Sequence, residues 1–278
     1  MVTGKKRTDY TPQTFKKAMG LLEAFSMQNP ELTAKELGYL CGIRTSSLYR
    51  YLSIMEEQGY LIKNLETNKY SIGLRLIELC GIAMSCMEFY RHGQPALDRI
   101  SSELKMNSNM GVLYHGDTLH IAFSIWVSTI PYYNIIGRRT PAHCTAMGKV
   151  ILSSLPPTEV HDIVNRYGWR KRTDNSITNF KDLDKELQKT RKKGYAVDMR
   201  ENSDAICCLA MPVLDQKGNV VAAISATTSY ERFTNERQHI LECVRKNAEE
   251  ATINMGYVGV FPVINIKKAE PGLRPLPS

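Results

Sequence analysis

The sequence predicts an α+β protein built from two domains of different architecture. The chain has 278 residues, and compact domains contain about 150 residues, so two domains are expected. Residues 1–75 combine short helical patterns with one hairpin, whereas strand patterns become frequent after Lys105. We therefore expect an N-terminal domain at 1–75, a linker helix at 76–94 and a mixed α/β domain at 95–256. A proline-containing tail at 257–278 is expected to be partly disordered.

The composition excludes several classes of protein. Hydrophobic residues make up 43% and charged residues 23%, which excludes wholesale disorder. No apolar run reaches the ~18 residues of a membrane span, and the polar, basic start over 1–17 is not a secretory signal. Seven cysteines without a CxxC pair argue against a disulfide scaffold and a zinc site, and they fit a reduced, cytoplasmic setting. The net charge of +8 is compatible with a phosphate-bearing partner but does not define one.

The first 45 residues predict a helix-turn-helix. The first predicted helix has an apolar side that comprises Phe15, Ala18, Met19, Leu21, Leu22 and Phe25. Thr33 and Glu36 form a capping box that begins a second, short helix, which stops near Gly42. A third helix begins near Thr45. Two short helices joined by a tight turn that contains glycine are typical of this motif.

The third helix has one apolar face and one polar face. Leu48, Tyr51, Leu52 and Met55 follow the i, i+3, i+4, i+7 spacing and are expected in the core. The exposed side supplies candidate DNA contacts at Thr45, Ser46, Ser47, Tyr49 and Arg50. Short hydroxyls, a phenol and a guanidinium can reach base edges and phosphates without steric conflict. This face therefore indicates a recognition helix.

A hairpin follows the third helix. Tyr60–Ile62 and Lys69–Ile72 have strand character, and residues 66–68 form the turn between them. A helix-turn-helix with such a hairpin is a winged helix, and Lys63 and Lys69 are candidate phosphate contacts near its tip. The alternative is a helical domain that binds protein and carries an incidental hairpin. The Ser/Arg face of the third helix favours double-stranded DNA.

The rest of the chain alternates helices and strands. Residues 74–102 have helical character, with an expected break at Gly93 and Pro95. The first half carries an apolar stripe that needs a partner, formed by Leu76, Leu79, Cys80, Ala83 and Met87. Further strands are expected at 110–114, 118–125, 132–136, 205–214 and 220–227, and further helices after Thr145 and at 158–167, 180–193 and 235–255. This order predicts a sensor domain with an antiparallel sheet.

Two sets of motifs resemble the IclR family of bacterial transcriptional regulators. The N-terminal set is 43–52, 57–61 and 68–73, and the C-terminal set is 143–152, 194–198, 208–213 and 222–227. The resemblance runs from about residue 11 to 255 and implies a winged helix joined to a GAF-like α/β effector domain. It also implies a homodimer or homotetramer that represses or activates transcription in response to a small molecule. Arg44 stands where the family often has an Asn cap, and Tyr49 where it often has His, which affects the operator sequence.

The resemblance also implies an effector site between the motif helix and the late sheet. Its residues here are Ala146, Met147, Asp198, Cys208, Ser225 and Thr227. The free N–H groups of a helix start suit a carboxylate, so a small carboxylic acid is the expected effector. Structural alternatives stay open, since Cys208 could pack in the core, Ser225 and Thr227 could bond within the sheet, and Asp198 could cap a turn. Met147 is bulkier than the usual family residue, which implies a changed pocket shape.

An enzyme is the main alternative to a regulator. Cys207 or Cys208 could perform thiol redox chemistry in a GAF-like pocket. Adjacent strand residues face opposite sides, so only one of the two thiols can enter such a pocket. No basic residue closely flanks the pair to lower a thiol pKa. The six histidines form no HxH or HxxxH pair, so we predict no catalytic residue, no metal and no cofactor.

Overall fold

A computed structural model describes residues 13–126 and 135–266, and the chain divides into two compact units between Cys86 and Met87. The first unit contains α1 (Gln13–Glu23), β1 (Glu31–Thr33), α2 (Ala34–Cys41), α3 (Thr45–Glu57), β2 (Leu61–Lys63), β3 (Lys69–Ile72) and α4 (Leu74–Ser85). Its three strands form an antiparallel sheet in the order β1-β3-β2. This arrangement confirms the winged helix-turn-helix.

Local sequence signals set the boundaries of the short helices. The Thr33 hydroxyl accepts from the Glu36 N–H, and the Glu36 carboxylate accepts from the Thr33 N–H, so both halves of the capping box are present. Gly42 ends α2 in the left-handed region with φ 61°, a conformation that glycine adopts without a Cβ clash. Leu48 and Leu52 of α3 then pack in the core of the unit.

Two details of this unit differ from the sequence prediction. Phe15 is 67% exposed and Met19 42% exposed, although both belong to the apolar side predicted for the first helix. Leu21 is fully buried instead, because it is the residue of α1 that points at α2 and α3. The strand β1 was not predicted, since three residues carry too little pattern to separate them from a loop; its Leu32 pairs with Tyr70 of β3.

The second unit is a mixed α/β domain. It contains α5 (Glu88–Leu104), β4 (Asn107–Tyr114), β5 (Asp117–Ser124), β6 (Arg139–Pro141), a 3₁₀ turn (Ala142–Cys144), α6 (Ala146–Ser153), α7 (Pro157–Tyr167), α8 (Phe180–Lys193), β7 (Ala196–Met199), β8 (Cys207–Leu214), β9 (Val220–Thr228) and α9 (Tyr230–Asn254). The described strands form one antiparallel sheet in the order β6-β5-β4-β9-β8-β7. The predicted α+β class is confirmed.

The two faces of this sheet are covered by different helices. Side chains alternate along each strand, so Cys207 and Leu209 join the core formed with α5 and α9. Cys208 and Ala210 face the other way and pack with Ala146 at the start of α6. This alternation places the start of α6 over the polar positions of the late strands.

The helix break is not where the sequence predicted it. The helical pattern is interrupted at Cys86–Met87, between the end of α4 and the start of α5, and α5 then continues through Gly93 and Pro95. A proline inside a helix removes one backbone hydrogen bond, but here burial of the surrounding apolar residues overrides that cost. Gly93 allows Met110 to pack closely against α5, because a Cβ at this position would lie 2.6 Å from Met110 Sδ.

Smaller differences affect the ends of elements. The final helix begins at Tyr230, five residues earlier than expected, because Ser229 caps it. The short strands β6 and β7 were not predicted from strand patterns, and most of the expected strand over 132–136 lies outside the described residues, although Ile136 belongs to a turn. The described part of the tail, 257–266, has no helix or strand, yet Ile264 is buried beside Ala196.

Candidate functional site

The polar face of α3 is exposed as a continuous surface. The residues predicted to contact DNA on this helix all lie at exposed positions: Thr45, Ser46, Ser47, Tyr49 and Arg50. Leu48, Leu52 and Met55 are buried on the opposite side and fix the rotation of the helix. The first turn carries no acidic residue, so the hydroxyls of Thr45, Ser46 and Ser47 lie at the end of the helix where its N–H groups are free.

The hairpin keeps two lysines beside its turn. Lys63 pairs with Tyr70 across β2 and β3, and its Nζ lies 5.8 Å from the centre of the Tyr70 ring. Lys69 begins β3. The turn between them is ordered by Asn64, whose Oδ1 accepts from the N–H groups of Glu66 at 2.9 Å and Thr67 at 3.1 Å. The hairpin therefore presents both lysines on a fixed turn.

A small cavity lies between the start of α6 and the sheet. Its volume is about 40 Å³. All six residues predicted for the effector site line it: Ala146, Met147, Asp198, Cys208, Ser225 and Thr227. The wall also contains eight residues that the sequence reasoning missed: Asn107, Asn109, His120, Arg138, Thr140, Thr145, Asn202 and Ile206.

Strand register explains why these distant residues meet. Asp198 on β7 is opposite Cys208 on β8, which is opposite Thr227 on β9, which is opposite Asn107 on β4. One polar row thus crosses four strands. Asn109 and Ser225 form the next pair on the same face, and Asn109 Nδ2 donates to Thr227 Oγ1 at 3.5 Å. The period-two spacing of Asn107 and Asn109 could have revealed them in the sequence.

The start of α6 is held tightly against its surroundings. The Thr145 hydroxyl accepts from the N–H of Gly148 at 3.2 Å and lies 3.1 Å from the Thr118 hydroxyl. A Cβ on Gly148 would lie 2.2 Å from the carbonyl oxygen of Ala142, so only glycine permits this close approach. The contacts fix the backbone of Ala146 and Met147 at the cavity wall.

The ionisable groups of the cavity wall are strongly affected by burial. Burial, reinforced by Glu201, raises the pKa of Asp198 to about 7, although the backbone N–H of Glu201 donates to Asp198 Oδ1 at 2.6 Å. Burial and the charge of Arg138 lower the pKa of His120 to about 4. The wall therefore combines a neutral imidazole, one guanidinium and a carboxyl that titrates near neutral pH.

Several polar atoms of the wall lack a hydrogen-bond partner among the described residues. They are Oδ1 of Asn109, Nδ1 of His120 and Oδ1 of Asn202. Buried polar atoms without a partner cost about 1–3 kcal/mol each. A ligand with several hydrogen-bonding groups would remove that cost, which makes this cavity suited to a polar small molecule.

The two adjacent cysteines are poor candidates for thiol chemistry. Burial raises the pKa of both thiols, and Asp198 raises them further. Cys208 Sγ lies 3.3 Å from Thr227 Oγ1, whereas Cys207 faces the opposite core. Since the thiolate is the reactive form, neither side chain is activated. Over residues 13–126 and 135–266, no group of three or more His, Cys, Asp or Glu side chains is placed to hold a metal.

Among the described residues, none of the helices combines the length and the apolar character needed to cross a bilayer.

A winged helix followed by an α/β domain that holds a cavity lined by polar residues defines a class, the DNA-binding transcriptional regulators with a sensor domain. Two family descriptions match this chain: "IclR helix-turn-helix domain" over 14–64 and "Bacterial transcriptional regulator IclR C-terminal" over 82–252. Because these matches cover most of the chain, the protein belongs to the IclR family of bacterial transcriptional regulators and is not an enzyme.

Individual relatives agree with this assignment. The chain is 30% identical to the HTH-type transcriptional regulator KdgR of Escherichia coli over 242 residues, which cover 87% of this chain and 92% of KdgR. It is 26% identical to the transcriptional repressor IclR of the same species over 251 residues, covering 88% and 90%. The fold resembles a solved IclR homolog from Microbacterium hydrocarbonoxydans in complex with 4-hydroxybenzoate, with TM-score 0.78, 20% identity and coverage of 87% and 99%.

Proposed function

We propose that this regulator binds a double-stranded DNA operator as a repressor, and that a small organic carboxylate in the Asp198 cavity switches its affinity. The observation that carries the proposal is the coexistence of an exposed face on α3, whose first turn has no acidic residue, and a cavity lined by polar residues in the second unit. The relative from Escherichia coli that is named transcriptional repressor IclR supports repression. The reduced interior of a bacterial cell is the setting that fits an operator-binding protein with free thiols.

The DNA half of the proposal depends on the chemistry of α3. Arg50 is exposed on the polar face and can donate two hydrogen bonds to a guanine edge in the major groove. Ser46 and Ser47 are short enough to let the helix approach the backbone, and their hydroxyls can donate to phosphate oxygens. Lys63 and Lys69 would add phosphate contacts from the hairpin.

The effector half depends on the cavity wall. Arg138 supplies positive charge, and the start of α6 supplies backbone N–H groups, so a carboxylate is the anion that this wall can bind. Ser225, Thr227 and Asp198 can bond to hydroxyl or carbonyl groups at the other end of the molecule. The solved homolog that holds 4-hydroxybenzoate gives a precedent for a carboxylate in this family.

A second copy of the chain is the proposed partner of α4. Within the described residues, α4 has no buried side chain, although Leu74 is 70%, Ile77 66% and Ile82 56% exposed. Contiguous apolar surface of this kind is typical of a protein interface. We infer a homodimer, and its pairing into a tetramer is the alternative that light scattering would reveal. Two recognition helices on one duplex face would be about 34 Å apart, or a multiple of that distance.

Operator binding is tested with DNA from upstream of the protein's own gene. Wild-type protein should shift this duplex, and Arg50→Ala should weaken binding by at least about tenfold, since a good base contact contributes roughly 1–3 kcal/mol. Arg245→Ala, which removes an exposed arginine from α9, is the matched control and should bind as wild type does. Binding should also weaken steeply with salt. Equal affinity for Arg50→Ala and Arg245→Ala would remove α3 from the interface.

Effector binding is tested by a thermal-shift screen of small carboxylic acids. A true effector should raise the melting temperature and change the affinity for the operator, because binding to one functional state shifts the equilibrium between states. Asp198→Asn should lose that thermal shift while remaining folded. An acid that stabilises the wild type and the variant equally binds elsewhere. A reporter gene should be expressed more strongly when the regulator is deleted if the protein is a repressor.

A further inference from the structure

A second and larger cavity lies at the β7 edge of the sheet. Its volume is about 390 Å³, which is within the range of small-molecule sites. The wall is built by α8, β7, the segment before α8 and Arg237 of α9. None of the residues that line it belongs to the effector cavity described above. No part of the proposed regulator function uses this space.

The strand β7 separates the two cavities. Side chains of a strand alternate between its faces, so Asp198 lines the effector cavity while Val197 and Met199 line the second one. The open edge of β7 is covered by side chains, because Lys149 Nζ donates to the Val197 carbonyl at 2.6 Å. This bond occupies one carbonyl of the edge strand, which favours a small molecule over an added β-strand as the occupant of the cavity.

Two carboxylates, Glu186 and Glu201, lie at the inner end of the second cavity. Lys149 is buried and contacts two carboxylates, Glu201 at 2.5 Å and Glu186 at 3.7 Å. The side chain of Glu201 is only 10% exposed, and its Oε2 has no hydrogen-bond partner within the described part of the chain. Burial raises the pKa of Glu201, and Lys149 opposes that rise. A second cation or donor near Oε2 would satisfy this oxygen.

The outer end of the same cavity is positive. Lys189 and Lys193 are four residues apart on α8, and Arg237 faces them from α9. Lys189 also contacts Glu186 at 3.3 Å, whereas Lys193 and Arg237 lie over the rings of Tyr195 and Phe233 at 5.8 Å and 5.9 Å. These two cations are placed to bind an anionic group that enters from solvent.

We propose that this second cavity binds a free amino acid, with its ammonium group at Glu201 and its carboxylate between Lys193 and Arg237. A molecule with a cation at one end and an anion at the other matches the polarity of the cavity from its inner to its outer end. The site would be connected to the effector cavity, since the N–H of Glu201 donates to Asp198 Oδ1 at 2.6 Å. An amino acid at Glu201 is thus linked through one hydrogen bond to the Asp198 carboxyl in the wall of the effector cavity.

The test is calorimetric titration of the full-length protein with each of the twenty L-amino acids. At least one should bind with Kd below about 1 mM, which corresponds to the weak end of specific binding. Arg237→Ala and Lys193→Ala should each weaken that binding about tenfold, because each removes a charge-assisted contact. Lys192→Ala, an exposed neighbour on α8 outside the cavity, is the matched control and should leave the Kd unchanged.

Sodium acetate and methylammonium chloride separate the two ends of the proposed ligand. Neither should bind measurably, because each satisfies only one end of the cavity. The proposal would be overturned if none of the twenty amino acids bound. It would also be overturned if Arg237→Ala and Lys193→Ala left the binding intact, or if acetate bound as tightly as the amino acid. The titration contains neither DNA nor an effector, so its failure leaves operator binding untouched and can be distinguished from failure of the proposed function.

Discussion

Replacement of Asp198 by asparagine should change how stability depends on pH. Asp198 is 1% exposed, and burial together with Glu201 raises its pKa from 3.8 to about 7. The folded protein therefore holds this proton more tightly than the unfolded chain does. Its stabilisation is fully present below about pH 4 and is lost as the pH rises through about 7. Asparagine has the same shape and carries no proton to lose.

The size of the effect follows from the two pKa values. A shift of about 3 units at 1.36 kcal/mol per unit gives about 4 kcal/mol, an order-of-magnitude figure. Other groups at the wall titrate as well. Because the pKa of His120 is lowered to about 4, its contribution to the stability of the folded protein grows as the pH rises from 4 to 6.5. The raised pKa of Glu201 has the opposite effect, as that of Asp198 does, and lowers the stability as the pH rises. Because both groups remain in the variant, they largely cancel in the difference between the two proteins.

Urea denaturation at pH 4, 5, 6, 7 and 8 measures this difference. The free energy of unfolding of Asp198→Asn, minus that of the wild type, should increase by several kcal/mol from pH 4 to pH 8. Asp204→Asn removes an exposed carboxylate from the loop that follows β7 and controls for the loss of one charge. A difference curve for Asp198→Asn that stays flat within about 1 kcal/mol would refute the reasoning, since it would mean that the folded carboxyl is already ionised in acid.

Helix caps and glycines allow further tests by thermal or urea unfolding. Thr33→Ala removes the capping box of α2 and should lower the stability of the protein by about 1 kcal/mol. Arg44→Ser should raise the stability by about 0.5–1 kcal/mol, because Arg44 is the N-cap of α3 and makes no side-chain capping hydrogen bond. Equal effects of the two substitutions would contradict the cap assignments. Gly148→Ala forces a Cβ against the Ala142 carbonyl and should cost roughly 1–3 kcal/mol. Gly20→Ala meets open space within α1 and should stabilise by about 0.5–1 kcal/mol, so a loss there as large as at Gly148 would argue against the packing explanation.

Parts of the fold could be predicted from sequence where local signals suffice. The capping box at Thr33 and Glu36, the glycine at 42 and the apolar spacing of Leu48, Leu52 and Met55 each depend on residues within a few positions of one another. Such signals set the helices of the first unit without reference to the rest of the molecule. They fail where packing overrides them, as at Pro95, which lies inside α5 because the helix buries its apolar side against the sheet.

Some residues of the candidate effector cavity could also be predicted from the sequence, and others could not. The family motifs indicated Asp198, Cys208 and Thr227, but only strand register puts them in one row with Asn107 from a strand about ninety residues earlier. His120 and Arg138 have no local signal that marks them as cavity residues, and the tertiary structure alone places them there.

The sequence by itself determined the class of this protein, because helix periodicity, caps and recognition-face chemistry are properties of short segments. The tertiary structure decided which side chains share a cavity, where one helix ends and the next begins between α4 and α5, and which carboxyl groups are buried together. Those outcomes depend on contacts between residues far apart in the chain, and burial sets the charge of a group only after such contacts have excluded water.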